Sequence, residues 1–338
     1  MKREGGFAYS MAKTKVGTVI DWHNSSPILA IFRLVPEADH KFPAYKPGQY
    51  IALQRNDCRL TKKVVHEDRR VEYPLVLDAQ GNQKRGPVTH SYSIASAPFE
   101  TVERGYLEFY VILEIDEKGV PGRLTESMFR MSLEKDNKLH YYDKIAGDFT
   151  LDKRAAGFQH VVLVGTGTGL APFVSMIKQL DFDATQGKTD GSKYTLIHTN
   201  RTYEELDYYK ELLAIESAER FDFVYVPSVS RPTQRDLDDR NMGKGRANNL
   251  LRHLFEMPLK EEQDLQEAGL KGEDTARAAA ALQKAVRPVL PEQHPLRELQ
   301  QRMNPAQTII ITCGNPWSME DIKYVADSNK MGFEKEDW

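Results

Sequence analysis

Residues 161–173 read VVLVGTGTGLAPF, and the rest of the chain can be organised around them. Val161–Val164 is an apolar run of strand length. It enters a loop with glycines at alternate positions, Gly165, Gly167 and Gly169, separated by Thr166 and Thr168. A helix follows, with Pro172 in its first turn, where a missing N–H costs nothing. Glycine permits a tight turn and lets backbone approach a pyrophosphate, and a helix N-terminus offers free N–H groups and a positive dipole end. The common G-x-G-x-x-G spacing would need glycine at 170, where Leu170 stands, and no Gly-Lys-Ser/Thr sequence follows. The segment therefore reads as a phosphate-binding turn of a distinct type.

Downstream, strands and helices alternate. Strands are expected at 194–199, 221–229 and 308–313, and helices at 247–255 and 319–330. Another helix should open at Thr202-x-x-Glu205, a capping-box pattern, and carry Leu206, Tyr209, Leu213 and Glu216. Such alternation predicts a parallel sheet covered on both faces. Upstream, 15–22, 28–34, 48–54, 90–96 and 106–115 are short, β-branched or aromatic and bounded by turn residues, with a short helix at 121–132. They predict an antiparallel β-barrel or sandwich. The character changes near Asp152–Phe158, giving an expected barrel domain at 12–152 and an α/β parallel-sheet domain at 158–338. Two segments look like insertions. Residues 55–89 carry a local charge of +3 and a hairpin tip at Asp78–Asn82. Residues 256–305 are rich in Glu, Gln, Lys and Ala and favour one or two extra helices. There is no internal repeat.

Composition narrows the classes. A chain of 338 residues holds about two domains. Lys+Arg 46 against Asp+Glu 49 gives a net charge of −3, which supplies no field for nucleic acid. Hydrophobic residues at 40% and charged residues at 28% fit a soluble globular protein. No apolar run approaches the ~18 residues that span a membrane. The N-terminal MKREGGFAYSMAK has no apolar core, so no secretory signal is expected. Cys58 and Cys313 cannot frame a disulfide scaffold, a four-thiolate metal site or an iron–sulfur centre. The expectation is a cytoplasmic protein without a resident metal.

Two further segments sharpen this. Residues 90–96 read HSYSIAS, after Pro47-Gly48-Gln49-Tyr50, and residues 312–319 read TCGNPWSM. With the GTGTG loop, in this order, they resemble the ferredoxin–NADP reductase family over roughly residues 12–338 apart from the two insertions. The resemblance implies an FAD-binding barrel followed by an NADP-binding domain. Tyr92 would pack on the flavin and Ser93 would hydrogen-bond its N5. Gly122, Arg123, Leu124 and Thr125 would face the flavin pyrophosphate, and Gly147-Asp148-Phe149 would close the barrel. Cys313, within Cys313-Gly314-Asn315-Pro316, would lie beside the nicotinamide and help align it. Trp338 would stack on the flavin face where nicotinamide must bind. One position departs: the family's arginine two residues before the tyrosine is His90, which lacks a permanent charge and a forked donor. Arg123 is the expected compensation.

The same resemblance places Ser230, Arg231, Arg246 and Arg201 where bacterial members hold the NADP 2′-phosphate, favouring NADP over NAD. Asp236, Asp238 and Asp239 lie nearby and count against that charge argument. The implied activity is electron transfer between NADP(H) and a one-electron carrier, ferredoxin or flavodoxin, by hydride transfer to flavin N5. The alternatives are a reductase of the same fold acting on free flavin, a ferric chelate or an oxygenase component, and a non-catalytic flavoprotein-like subunit. Segment 55–89 is a candidate dock for an acidic carrier.

Overall fold

The computed structural model describes residues 14–66 and 68–336. Trp338 lies outside the described residues. The chain forms two compact units. The first takes the chain to Tyr45, then Gln49–Ile94 and Glu100–Gly147; the second takes Lys46–Gly48, Ala95–Phe99 and everything from Asp148.

The first unit is strand-rich, as its β-branched and aromatic runs dictate. Its strands are β1 (Thr14–Ser26), β2 (Leu29–Pro36), β3 (Tyr50–Arg59), β4 (Val64–Val65), β5 (Val71–Glu72), β6 (Arg85–Ser93), β7 (Leu107–Ile112) and β8 (Lys138–Ala146). Its helices are α1 (Pro98–Arg104, which straddles the two units) and α2 (Arg123–Phe129). Six strands make one antiparallel half-barrel sheet in the order β6-β3-β8-β1-β2-β7. Strand β8, central to it, has no counterpart in the sequence reading. Its KLHYYDKIA alternates, burying Leu139 and Tyr141, but charges hide the pattern. One face of the sheet, with Leu124 and Met128 of α2, forms the core around Phe32, Leu53, Phe109 and Tyr141.

The expected insertion at 55–89 is shorter than its composition suggests. Arg55–Arg59 completes β3, and Arg85–Thr89 begins β6 opposite it. Only about residues 60–84 leave the sheet. Arg55 is buried rather than displayed: it donates to Ser127 Oγ at 3.0 Å and to Asp136 at 3.0 and 2.6 Å. Arg59 is bound to Glu126. The hairpin tip is real: the Asp78 N–H donates to Asn82 O at 2.8 Å, with Gly81 at a φ of 84°.

The second unit contains α3 (Leu151–Arg154), β9 (His160–Thr166), α4 (Ala171–Thr185), β10 (Lys193–Asn200), α5 (Tyr209–Ser217), β11 (Phe223–Val229), α6 (Gln234–Asp238) and β12 (Gly243–Lys244). It continues with α7 (Ala247–Leu254), α8 (Lys260–Lys271), α9 (Ala276–Lys284), α10 (Leu296–Arg302), β13 (Thr308–Cys313), α11 (Pro316–Ser328) and β14 (Gly332–Lys335). The six strands are all parallel, in the order β12-β11-β10-β9-β13-β14. Central strands such as HVVLVGT and TIIITC are buried almost throughout, as strands covered on both faces must be.

Two expectations are corrected here. Thr202-x-x-Glu205 is not a capping box. Residues 203–205 form a single tight turn, and the helix begins only at Tyr209, after Tyr208 at a φ of 63°. Glu205 cannot reach back because Arg201 holds it: the Arg201 Nε–H donates to its carboxylate at 2.7 Å. A capping box does form at Thr233 with Asp236. Segment 256–305 holds three helices, not one or two. It is not an appendage, since Leu299 and Met303 belong to the sheet's core. Between α9 and α10 the chain runs extended, and Lys244 and Val289 exchange backbone hydrogen bonds of 2.8 and 2.9 Å. Pro288, Pro291 and Pro295 keep this strap from continuing the Ala-rich helix.

Candidate functional site

The glycines of the 165–169 loop have different roles. A Cβ at Gly169 would lie 2.3 Å from Cys313 O and 2.5 Å from Gly314 Cα, so glycine is required for the two strand ends to meet. Gly314 answers from the other side, with a φ of +126° and Thr166 Oγ1 2.2 Å from its ideal Cβ position. The Asn315 N–H donates to Thr166 Oγ1 at 2.9 Å, tying the loops together. Gly167 differs: its φ is +56° and nothing lies within 4 Å of its ideal Cβ. It is the point where the loop backbone is open to a ligand. One turn of 3₁₀ helix, Gly167–Leu170, leads into α4, which carries no side-chain cap. The Ala171 N–H donates to Thr168 O and Pro172 has no N–H, so the N–H groups that need an acceptor from elsewhere are those at the start of the 3₁₀ turn.

Register brings the other motifs to the same edge. Cys313 pairs with Gly165, Thr166 with Thr199, Asn200 with Val229, and Ser228 with Gly243. The chain therefore leaves five adjacent parallel strands side by side at Gly314, Gly167, Arg201, Ser230 and Gly245. This carboxyl edge is where open α/β sheets bind ligands. The Ser230 N–H and the Arg231 N–H donate to Asn200 O and Arg201 O at 2.9 and 2.8 Å, and Ser228 Oγ donates to Gly245 O at 2.9 Å. The three arginines are not equivalent. Arg201 is spoken for by Glu205, Arg246 stands 3.5 Å from Glu261, and Arg231 is exposed and makes no ion pair among the described residues. The neighbouring acids are engaged locally. Asp236 accepts from Thr233 and pairs with Arg235 at 3.2 Å, and Asp239 Oδ1 accepts from the Asn241 N–H.

Cys313 is fully buried and its thiol donates to Glu336 Oε2 at 2.9 Å. Burial and the Glu336 carboxylate push this thiol well above its usual range. It is a neutral hydrogen-bond donor, not a thiolate nucleophile. Glu336 was missed from sequence; its only signal was an acidic residue near the chain's end. Asn315 caps α11 by accepting from the Ser318 N–H at 3.2 Å, Pro316 occupies the first turn, and Trp317 beside it is 86% exposed.

In the first unit, His90 and Tyr92 lie two apart on β6 and share one face. Tyr92 packs half-buried against the sheet core, and burial raises its hydroxyl pKa. Ser93, next along the strand, is buried. Gly122 N-caps α2 without a side-chain cap, and Thr125 Oγ1 donates to Gly122 O at 3.3 Å. Leu124 is a core residue, so of the segment 122–125 Arg123 and the first-turn N–H groups are what can meet an anion. Arg123 is half-buried and makes no ion pair among the described residues. His90 is held below its ordinary pKa by desolvation and then by Arg123, with Glu114 opposing. Arg123 thus lies close enough to His90 to favour its neutral form, leaving Arg123 as the permanent cation of the pair. Gly147, with a φ of +108°, turns the chain under Tyr50.

Comparison with known proteins agrees with this architecture. Residues 163–272 match the model of the oxidoreductase NAD-binding domain. The ferredoxin–NADP reductases of Pseudomonas aeruginosa and Azotobacter vinelandii are each 29% identical, over 179 and 180 residues, or 50% of this chain. The match spans 60% of the length of these curated relatives. A ferredoxin NADP+ reductase from Neisseria gonorrhoeae, solved with bound FAD and NADP, superposes with a TM-score of 0.56 at 18% identity, covering 96% of this chain and 99% of that one. The cytochrome b5 reductase domain of Ulva prolifera nitrate reductase does so with a TM-score of 0.53 at 15% identity, covering 96% and 97%. Among the described residues no helix is long and apolar enough to cross a membrane, and no cluster of His, Cys, Asp and Glu could hold a metal ion.

Proposed function

We propose that this chain, ferredoxin–NADP reductase-like in its fold and motifs, is an FAD-dependent oxidoreductase that takes electrons from NADPH and passes them to a one-electron carrier protein, ferredoxin or flavodoxin. The observation that carries the reading is the convergence of the Gly165–Gly169 loop, Cys313-Gly314, Ser230-Arg231 and Arg246 on one carboxyl edge of the parallel sheet. When bound, FAD supplies the step from hydride to single electrons.

The protein's own work is to bind and orient. The open backbone at Gly167 and the N–H groups leading into α4 receive the nucleotide pyrophosphate. Arg231, two residues beyond β11 and without an ion pair among the described residues, meets a 2′-phosphate as a charge-assisted donor, with Ser230 and Arg246 beside it. The Cys313 thiol, already donating to Glu336, offers its sulfur as a small apolar wall beside the nicotinamide. In the first unit Tyr92 covers flavin surface, Ser93 is the hydrogen-bonding side chain next to it, and Arg123 with His90 and the start of α2 hold the flavin diphosphate. Trp338, outside the described residues, is the proposed aromatic cover of the nicotinamide face.

Protein reconstituted with excess FAD, desalted, and titrated anaerobically should bleach its flavin absorbance with NADPH at far lower concentration than with NADH. Arg231→Ala should narrow that preference about tenfold, the worth of one charge-assisted hydrogen bond. A preparation that stays colourless, or flavin bands that neither nucleotide bleaches, would overturn the reading in favour of a non-catalytic subunit. Turnover with ferredoxin, flavodoxin, free flavin and a ferric chelate then assigns the acceptor.

A further inference from the structure

We propose that the excursion over residues 60–84 is an anchoring surface for an acidic carrier protein, the partner to which the reductase reading above, on which this inference rests, delivers electrons. The excursion is a three-stranded meander. Its middle segment, residues 70–78, is bonded on one side to 60–66, by Lys62 N–H to Pro74 O at 3.0 Å, Val76 N–H to Leu60 O at 2.9 Å and His66 N–H to Arg70 O at 2.9 Å. On the other side Lys84 N–H donates to Val76 O, and Asp78 N–H to Asn82 O, both at 2.8 Å.

The two-residue period of extended chain puts Val71, Tyr73, Leu75 and Leu77 on one face. Val65 pairs directly with Val71 and joins them. All five are between 41% and 61% exposed. Single exposed apolar side chains are ordinary, but a contiguous row of them marks an interaction surface.

Charge names the occupant. Among the described residues, the acids of the meander are satisfied internally. Glu72 pairs with His66 at 3.1 Å and Arg70 at 3.3 Å, Asp78 accepts from the Gln80 and Asn82 N–H groups at 2.9 and 2.8 Å, and Asp68 accepts from the Arg70 N–H at 3.0 Å. Lys62, Lys63, Arg69 and Lys84 are exposed and make no ion pair among the described residues. In this register Lys63 lies opposite Tyr73 on the apolar face, while Lys62 and Lys84 lie opposite Pro74 and Val76 on the ribbon's other face. An apolar row carrying a cation, with further cations one position away, complements an acidic surface with an apolar centre. A second copy of this chain would bring the same cations face to face.

The contact is an anchor, not the electron exit. The meander feeds the Arg85 end of β6, and Ser93 lies at the other end of the strand, ~26 Å away at the rise of a β-strand. The surface should therefore act on carrier affinity and not on the rate once bound.

The test compares wild type, Lys62→Glu/Lys63→Glu and Tyr73→Ser/Leu75→Ser in NADPH-dependent reduction of a ferredoxin of net negative charge and of ferricyanide. Calorimetric titration of oxidised ferredoxin, which needs no turnover, runs alongside. At low salt the charge-reversed protein should show a KM and Kd for ferredoxin raised about tenfold, the scale of losing one or two complementary charges. The apolar variant should show several-fold, and kcat and ferricyanide reduction should stay within about twofold. The charge effect should shrink as salt rises; the apolar one should persist. Unchanged Kd and KM in both variants would overturn the proposal. So would a wild-type dimer that Tyr73→Ser/Leu75→Ser makes monomeric with ferredoxin binding intact, which would give the surface to a second copy. Wild type that fails to reduce ferricyanide would sink the reductase reading instead, and the titration would still decide the surface.

Discussion

Segments 60–84 and 256–305 look alike in the sequence, as charged interruptions of a simpler frame, and the structure treats them in opposite ways. The later segment is tied into the second unit. Arg252 of α7 reaches Gln263 Oε1 and Pro258 O, both at 2.9 Å, while its other nitrogens grip Asp321 of α11 at 2.9 and 2.6 Å. The earlier segment holds Leu75 and Leu77 out in water. A leucine's contribution depends on what covers it, so the same composition serves stability in one place and an outward face in the other.

The contrast can be broken most forcefully at Arg252. Arg252→Met leaves the Asp321 carboxylate buried with, among the described residues, only Asn248 to answer it, and should cost about 3–5 kcal/mol of unfolding free energy in chemical denaturation. A loss below about 1 kcal/mol would mean that the later segment is not tied in through this pair. Leu299→Ala should come next, at about 2–5 kcal/mol, because Leu299 is 1% exposed in the sheet core.

Acid should act on the second unit through its buried histidines. Burial lowers His160 to about 4 and His198 to about 3. Both folded values lie below the unfolded value near 6.5, so the unfolded chain binds the proton first, and stability present above pH 6.5 is lost as pH falls toward 4. His160 alone accounts for about 3 kcal/mol over that window. His160→Gln should flatten the pH dependence of thermal unfolding between those limits, and an unchanged slope would discard the assignment. The smallest effect belongs to the outward face: Leu75→Ala should shift stability by no more than about 0.5 kcal/mol. A larger loss would show that the row of apolar residues packs on something within the chain.

The site was unevenly legible. The glycine loop, Cys313-Gly314 and Ser230-Arg231 stood out because backbone geometry demands particular residues at particular spacings, and local spacing is what a sequence displays. Glu336 did not stand out, since nothing local links it to Cys313; the two meet because Glu336 follows β14, which pairs beside β13. Arg201 and Arg231 looked interchangeable, and only Glu205 turning back on Arg201 separates them. Strand β8 was hidden because alternation among charged residues reads as solvent exposure until the neighbouring strands and α2 that cover Leu139 and Tyr141 are known.

By itself the sequence determined the alternation of strand and helix around β9, β10, β11 and β13, the glycine turn after β9, and the departure at His90. These follow from short-range rules: apolar period, glycine's freedom at turns, and the charge a side chain carries. Tertiary structure alone decided which cations stay unpaired, which apolar residues stay exposed, and where each charged interruption ends. Those depend on partners distant in sequence, and whether a charge is neutralised or a leucine covered is fixed only when the folded chain brings those partners within contact distance.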